Sequence, residues 1–228
     1  MGPDYAAPMS TARQVSPDWD DATLEEFREL GQRRSFKRAQ RIVYEGDRQS
    51  SVVLIESGSV KIVASSADGD EIVLGLRRAG QLLGDLSAFG DRPTAAAAIA
   101  LGEVTATVIL ASRFVEFLES RPHLLLLQLR RVTRLLAESD AKLLEMTSAD
   151  VATRVARRLI DLVDLGTTHG PDGHVLETAL SQEELAALCG ASREAVARVL
   201  RDLREEGVLS TDRRRVTVLD LDALRARV

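Results

Sequence analysis

The stretch Ser181–Leu200, SQEELAALCGASREAVARVL, decides how the rest of the chain is read. Ser181 and Gln182 open a first helix from which Leu185 and Leu188, three apart, face inward. Gly190 falls where the chain must reverse, and glycine accepts the left-handed backbone that such a turn uses. Ser192 is placed to cap a second helix, because its hydroxyl accepts from an otherwise orphaned backbone N–H. Val196, Val199, Leu200 and Leu203 then recur at helical spacing as the buried stripe of that helix. The pattern predicts a helix-turn-helix.

The other face of the second helix carries the chemistry. Arg193, Glu194, Ala197, Arg198 and Arg201 lie side by side on the solvent side. In a DNA major groove, arginine donates two hydrogen bonds to guanine O6 and N7, and glutamate accepts from cytosine N4. The small Ala197 allows close approach. An acid at Glu194 is a poor choice for a surface that merely adheres to phosphates, but a reasonable one for a surface that reads bases. Taken alone, Glu194 and Arg198 would be an ordinary surface pair contributing about 0.2–0.5 kcal/mol. With arginines on both sides, inside a helix-turn-helix, base reading is the better account. A hairpin follows, Val208-Leu209 and Val216-Thr217-Val218 around Asp212-Arg213-Arg214-Arg215. It predicts a wing whose three arginines run along the DNA backbone. Ser181, Gln182, Ser192 and Arg201 complete the expected backbone contacts.

Working outward, residues 1–20 read as an arm rich in Gly2, Pro3, Pro8, Ser10, Ser16 and Pro17. A short helix capped near Asp21 or Thr23 follows, with Leu24, Phe27 and Leu30 at helical spacing. Short β-branched runs then alternate with glycine and aspartate turns: Arg41–Tyr44, Val52–Ile55, Val60–Val63, Ile72–Leu74 and Thr105–Leu110. They predict a β-sandwich or jelly roll within a sensor domain spanning 21–120. Pro122 opens a long helix, assigned to 121–149. Leu125, Leu129, Val132, Leu136, Ser139, Leu143 and Met146 alternate four and three apart along it. Such a seam packs two helices lengthwise, so a homodimer through 122–147 is expected; the alternative is a helix packed on its own domain. Residues 150–228 hold a helix (Val151, Val155, Leu159, Leu162), a glycine-rich loop from Gly166 to Gly173, the helix-turn-helix, the wing and a polar C-terminal helix. The fold class is therefore α+β.

With 228 residues and a net charge of −5, the chain does not suit a protein that coats nucleic acid indiscriminately. No run is apolar enough to span a bilayer or to serve as a secretion signal, so a cytoplasmic location without a membrane partner is expected. A single cysteine, Cys189, excludes an internal disulfide and reads as a small core residue. No metal site is expected, because His123, His169 and His174 are ill placed as ligands. Paired cysteines, a Ser–His–Asp constellation and a Gly-Lys-Ser/Thr loop are all absent, which argues against an enzyme.

The run Ser192-Arg193-Glu194-Ala195-Val196-Ala197-Arg198 closely resembles the recognition helix of the cyclic-AMP receptor / fumarate-nitrate regulator (CRP/FNR) superfamily of bacterial transcription factors. Tyr44-Glu45-Gly46-Asp47 and Ile55-Glu56-Ser57-Gly58-Ser59-Val60-Lys61 are similar to strands of its cyclic-nucleotide-binding jelly roll. The resemblance implies that Arg193, Glu194 and Arg198 read bases, in a half-site of the TGTGA type within a two-fold operator, with RNA polymerase as a further partner. It also implies an effector pocket from Gly84, Asp85, Leu86, Ser87, Arg92, Thr94, Ala95, Ser139 and Asp140.

Here the sequence departs from the family. The arginine that neutralises a cyclic phosphate is replaced by Thr94, followed by Ala95, and Arg92 would serve only in a reshaped loop. A phosphate buried without a cation suffers a large desolvation cost, and an unpaired Asp85 would repel it. No cofactor is therefore assigned, and cyclic AMP is expected to bind weakly or not at all. The alternatives are a cyclic-AMP-dependent regulator, or a nucleotide sensor whose helical tail docks a protein.

Overall fold

In the computed structural model, residues 19–48, 50–65, 71–90, 93–165, 168–170, 173–176, 181–212 and 215–228 are described. Residues 1–18 of the expected arm lie outside them, as do Arg92, Arg213, Arg214 and the side chains of Arg215, His169 and His174.

The sensor half is built around SVVLIES, Ser51–Ser57, which is buried over four consecutive residues. Successive strand side chains point to opposite faces, so a continuous apolar run means both faces are covered. Val53 and Ile55 enter the sandwich interior with Val60, Leu83, Ala98 and Ala106. Val52 and Leu54 enter a second core with Trp19, Phe27, Phe114 and Leu118, which helices supply. Among the described residues, eight strands make two sheets: β1 (Gln32–Phe36), β8 (Val104–Leu110), β3 (Ser51–Ser57) and β6 (Leu82–Leu83) in one; β2 (Arg41–Val43), β7 (Ala97–Ala100), β4 (Ser59–Ser65) and β5 (Glu71–Arg78) in the other. Gly58 makes the β3–β4 turn at φ +84°, where a Cβ would stand 2.3 Å from the Glu103 carbonyl oxygen. Helices α1 (Asp21–Leu30), α2 (Asp85–Ala88) and α3 (Ala111–Glu119) complete this half. Asp20 caps α1 by accepting from the Thr23 N–H.

Helix α4 runs Pro122–Ser148, with Pro122 at its first turn as expected. At 27 residues it is about 40 Å long. A break at Ala149–Asp150 leads into α5 (Val151–Leu165), then β9 (Thr168–Gly170) and β10 (Gly173–Leu176). These two strands correct the expected loop at Gly166–Gly173: they pair antiparallel, and β10 also pairs with the wing. The helix-turn-helix is α6 (Gln182–Cys189) and α7 (Arg193–Glu205); the wing is β11 (Leu209–Asp212) and β12 (Arg215–Val218); α8 (Leu221–Arg225) ends the chain.

One core crosses between the halves. Val63, Val73, Ala97 and Ile99 on the outer face of β4, β5 and β7 join Val155, Leu159, Leu185, Ala186, Val196 and Leu200 from α5, α6 and α7.

Candidate nucleic-acid interface and sensor pocket

Local chemistry fixes the helix-turn-helix. The Ser181 hydroxyl accepts from the Glu184 N–H at 3.1 Å, and Glu184 Oε2 accepts from the Ser181 N–H at 2.7 Å, a reciprocal cap. Gly190 takes the left-handed conformation, φ 57°, and Ser192 accepts from the Ala195 N–H at 3.2 Å. Leu185, Leu188, Cys189, Val196, Leu200 and Leu203 are buried, while Val199 is half-buried against the same core. The α7 face opposite that stripe is open. Arg193, Glu194, Arg198 and Arg201 are exposed, and Ala197 between them is half-buried. Among the described residues, none forms a hydrogen bond or ion pair with the side chains of Arg193, Glu194 or Arg198. Ser181 and Gln182 are exposed at the α6 N-terminus and Ser192 at that of α7. The wing strands pair Asp212 with Arg215, while Arg213 and Arg214 lie outside the described residues.

Arg154 holds this unit to the long helix. Its Nε donates to the Cys189 carbonyl at 2.8 Å, one terminal nitrogen to Ala149 at 2.6 Å, and the other to Gly190 at 3.4 Å. One guanidinium thus joins the α4–α5 break to the turn before the recognition helix. Beside it, the buried Glu145 carboxylate accepts from Arg158 at 2.9 Å and Arg157 at 3.2 Å. Across the domain boundary, Lys61 of β4 donates to Glu184 Oε1 at 2.5 Å. Burial alone would raise the Glu184 carboxyl, but the hydrogen bonds from Lys61 and Ser181, together with the Lys61 charge, hold it below its ordinary value.

The expected effector residues are brought together only in part. Gly84 takes a left-handed conformation and starts α2. The Asp85 carboxylate is buried and paired, so the repulsion expected of an unpaired Asp85 does not apply. It accepts from Gln128 Nε2 at 2.8 Å and forms a close ion pair with Arg131, both on α4. Leu86 and Ala95 are exposed and Ser87 half-buried. Thr94 is buried; its N–H donates to Asp47 and its carbonyl accepts from Gly46. Ser139 and Asp140 are exposed on α4. Eight residues separate Ser139 from Arg131, about 12 Å along the helix.

The heptad positions Leu125, Leu129, Leu136, Leu143 and Met146 are exposed on α4, with Val132 half-buried. Among the described residues no metal-ligating cluster occurs, and no helix is long and apolar enough to cross a membrane.

Comparison with known proteins agrees with this layout. Residues 33–121 match the cyclic nucleotide-binding domain family, and residues 153–227 match the Crp-like helix-turn-helix domain family. The chain is 31% identical over 193 residues to a CRP-like cAMP-activated global transcriptional regulator of Mycobacterium tuberculosis, covering 84% of this chain and 86% of that one. It is 30% identical to the cyclic AMP receptor protein of Thermus thermophilus, covering 86% and 85%. Among solved structures, the c-di-GMP responsive global regulator CLP of Xanthomonas campestris superposes with a TM-score of 0.73 at 26% identity, covering 87% of this chain and 99% of that one. The architecture is that of a cyclic-nucleotide-binding-type domain joined to a Crp-like helix-turn-helix domain. The chain belongs to the CRP/FNR superfamily and is a DNA-binding transcription regulator of that type.

Proposed function

We propose that the exposed face of α7 reads base edges in the major groove of a two-fold symmetric operator. Arg193, Glu194 and Arg198 make the base contacts, while Ser181, Gln182, Ser192, Arg201 and the Arg213–Arg215 wing tip engage the backbone. The carrying observation is that the Arg193/Glu194/Arg198 face is exposed, with no internal partner among the described residues. In this reading the protein is a cytoplasmic homodimer through residues 122–147 that also meets RNA polymerase, and no catalytic role is assigned. The apolar seam left open on α4 supports the dimer.

Cyclic AMP is not the tight effector in this reading. The Asp85 carboxylate is already taken by Arg131 and Gln128, and Thr94 supplies no cation. A cyclic-AMP-dependent regulator is the second reading, favoured by the names of the Mycobacterium tuberculosis and Thermus thermophilus relatives. Calorimetry separates the two, since a site of low-micromolar affinity or tighter for cyclic AMP selects the second. DNA binding is tested by gel shift on a palindrome of TGTGA-type half-sites. A retarded complex that resists competing random DNA is expected; equal affinity for palindrome and random duplex would overturn the reading.

A further inference from the structure

Arg154 lies in the first turn of α5, and its whole guanidinium engages carbonyls that two other helices leave over. The last carbonyls of a helix have no donor within it. Ala149 is the C-cap of α4, Cys189 is the last residue of α6, and Gly190 is the C-cap of α6. Each nitrogen of the Arg154 fork donates to one of these three, at 2.6 Å, 2.8 Å and 3.4 Å respectively. A cation placed there also meets the negative ends of two helix dipoles at once. Among the described residues Arg154 takes part in no ion pair. The Asp150 carboxylate, four residues before it, instead accepts from the Thr153 N–H at 2.8 Å at the start of α5.

These contacts sit at a junction between two long levers. On one side α4 carries the open apolar seam; on the other, α7 begins at Arg193, three residues after Gly190. In the last turn of α4, Glu145 Oε2 accepts from both Arg157 and Arg158, which fixes the course of α5 against α4. Met146 Cε comes to 3.5 Å from the point where Gly190 would carry a Cβ, so the end of α4 also lies against the turn. Val155, Ala156 and Leu159 of α5 share an apolar core with Leu185, Val196 and Leu200. Apolar contact has no preferred direction, so it holds elements together without fixing their angle. Hydrogen bonds from one rigid, planar fork set both distance and orientation.

Given α7 as the DNA-reading helix of a homodimer, on which this inference rests, we propose that Arg154 is a positioning residue for operator recognition. By tying the end of α4 to the turn before α7, it fixes the separation and relative rotation of the two recognition helices, and so the half-site spacing that the protein accepts. In a dimer paired along α4, each α7 is placed relative to its partner through its own α4. One base pair added between half-sites shifts the second by about 3.4 Å and turns it by about a tenth of a helical turn. A joint held by the fork follows that displacement only by breaking a charged hydrogen bond, whereas a joint held by apolar contact alone slides. Base preference within each half-site belongs to Arg193, Glu194 and Arg198 and is independent of Arg154.

The test is fluorescence anisotropy of the full-length protein on duplexes carrying two TGTGA-type half-sites. Their centres are set about 10 base pairs apart, or one or two base pairs nearer or farther. The wild-type protein is expected to lose affinity about tenfold or more on either side of its best spacing, the scale of one lost base contact. Arg154→Gln removes charge and fork together; Arg154→Lys keeps the charge at the two helix ends without the fork. Both variants are expected to bind all the spacings within a few-fold of one another. Both should still lose affinity as the wild type does when the guanines of a half-site are replaced. Plain helix capping would lower the melting temperature of the variants and leave the spacing profile as steep as before. A folded Arg154→Lys protein with the wild-type profile therefore overturns the proposal. Equal wild-type affinity for the palindrome and for random duplex would instead overturn the reading of α7 itself, and this inference with it.

Discussion

Burial, with smaller contributions from Glu145 and Asp161 set against Arg158 and Arg154, pushes the Cys189 thiol up to about 12. The sulfur therefore stays protonated and out of reach at neutral pH, as its reading as a core residue implies. Iodoacetamide should leave the native protein unmodified at pH 8 and label Cys189 once denaturant is added; rapid native labelling would contradict the packing. On the DNA side, Arg193→Ala or Arg198→Ala should each cost about 1–3 kcal/mol of binding to a specific duplex, measured by fluorescence anisotropy. Arg201→Ala should instead weaken specific and random DNA alike. The exposed α7 residues were legible because helical period and N-cap chemistry are local. Arg154 was not: its partners are backbone carbonyls, two of them 35 and 36 residues away, and a carbonyl leaves no mark in a sequence. The partner of Asp85 was hidden by distance instead, since Arg131 lies 46 residues on and meets it only once α4 crosses the roll.

Elements differed in how plainly the chain announces them. The α4 seam was evident because apolar residues repeat along one helix, and Leu136 and Leu143 remain 63% exposed in the single chain. A two-fold interface buries each residue twice, and covering a leucine contributes about 1.5–3 kcal/mol. Leu136→Lys with Leu143→Lys should therefore yield a folded monomer by analytical ultracentrifugation. A variant that remained dimeric would show that the seam is not the interface. Strand β7 gave no such signal, because Ala97-Ala98-Ile99-Ala100 has poor strand propensity and earns its place by packing beneath both β-domain and helical cores. Strand β1, Gln32–Phe36, is polar and mostly exposed, so only its ladder with β8 defines it.

At the scale of the whole molecule, α6 rests on the outer face of the sensor sheet while the arginine face of α7 stays open. Apolar packing does most of the joining; Lys61–Glu184 adds a charged bond, and Arg78 donates to the Asp164 carbonyl at 2.6 Å. None of this was legible beforehand, because Lys61 and Glu184 lie 123 residues apart. The Glu184 carboxyl is held below its ordinary value, so its contribution is present above that value, near 4.5, and lost as pH falls through the lowered one. Hydrogen exchange at α6 should accordingly quicken on acidification below about pH 4.5. Glu184→Gln should flatten that dependence, and an unchanged acid profile in the variant would refute a role for the Lys61–Glu184 bond in joining the halves.

The central claim is that the α7 face recognises a DNA sequence. Selection of bound duplexes from a random library by the purified protein tests it most directly. Two-fold symmetric sites are expected, with half-site centres about 34 Å apart and guanine or cytosine at fixed positions, and enrichment lost in Arg193→Ala and Arg198→Ala. A library that stays random, or an identical selected site in both variants, would contradict it.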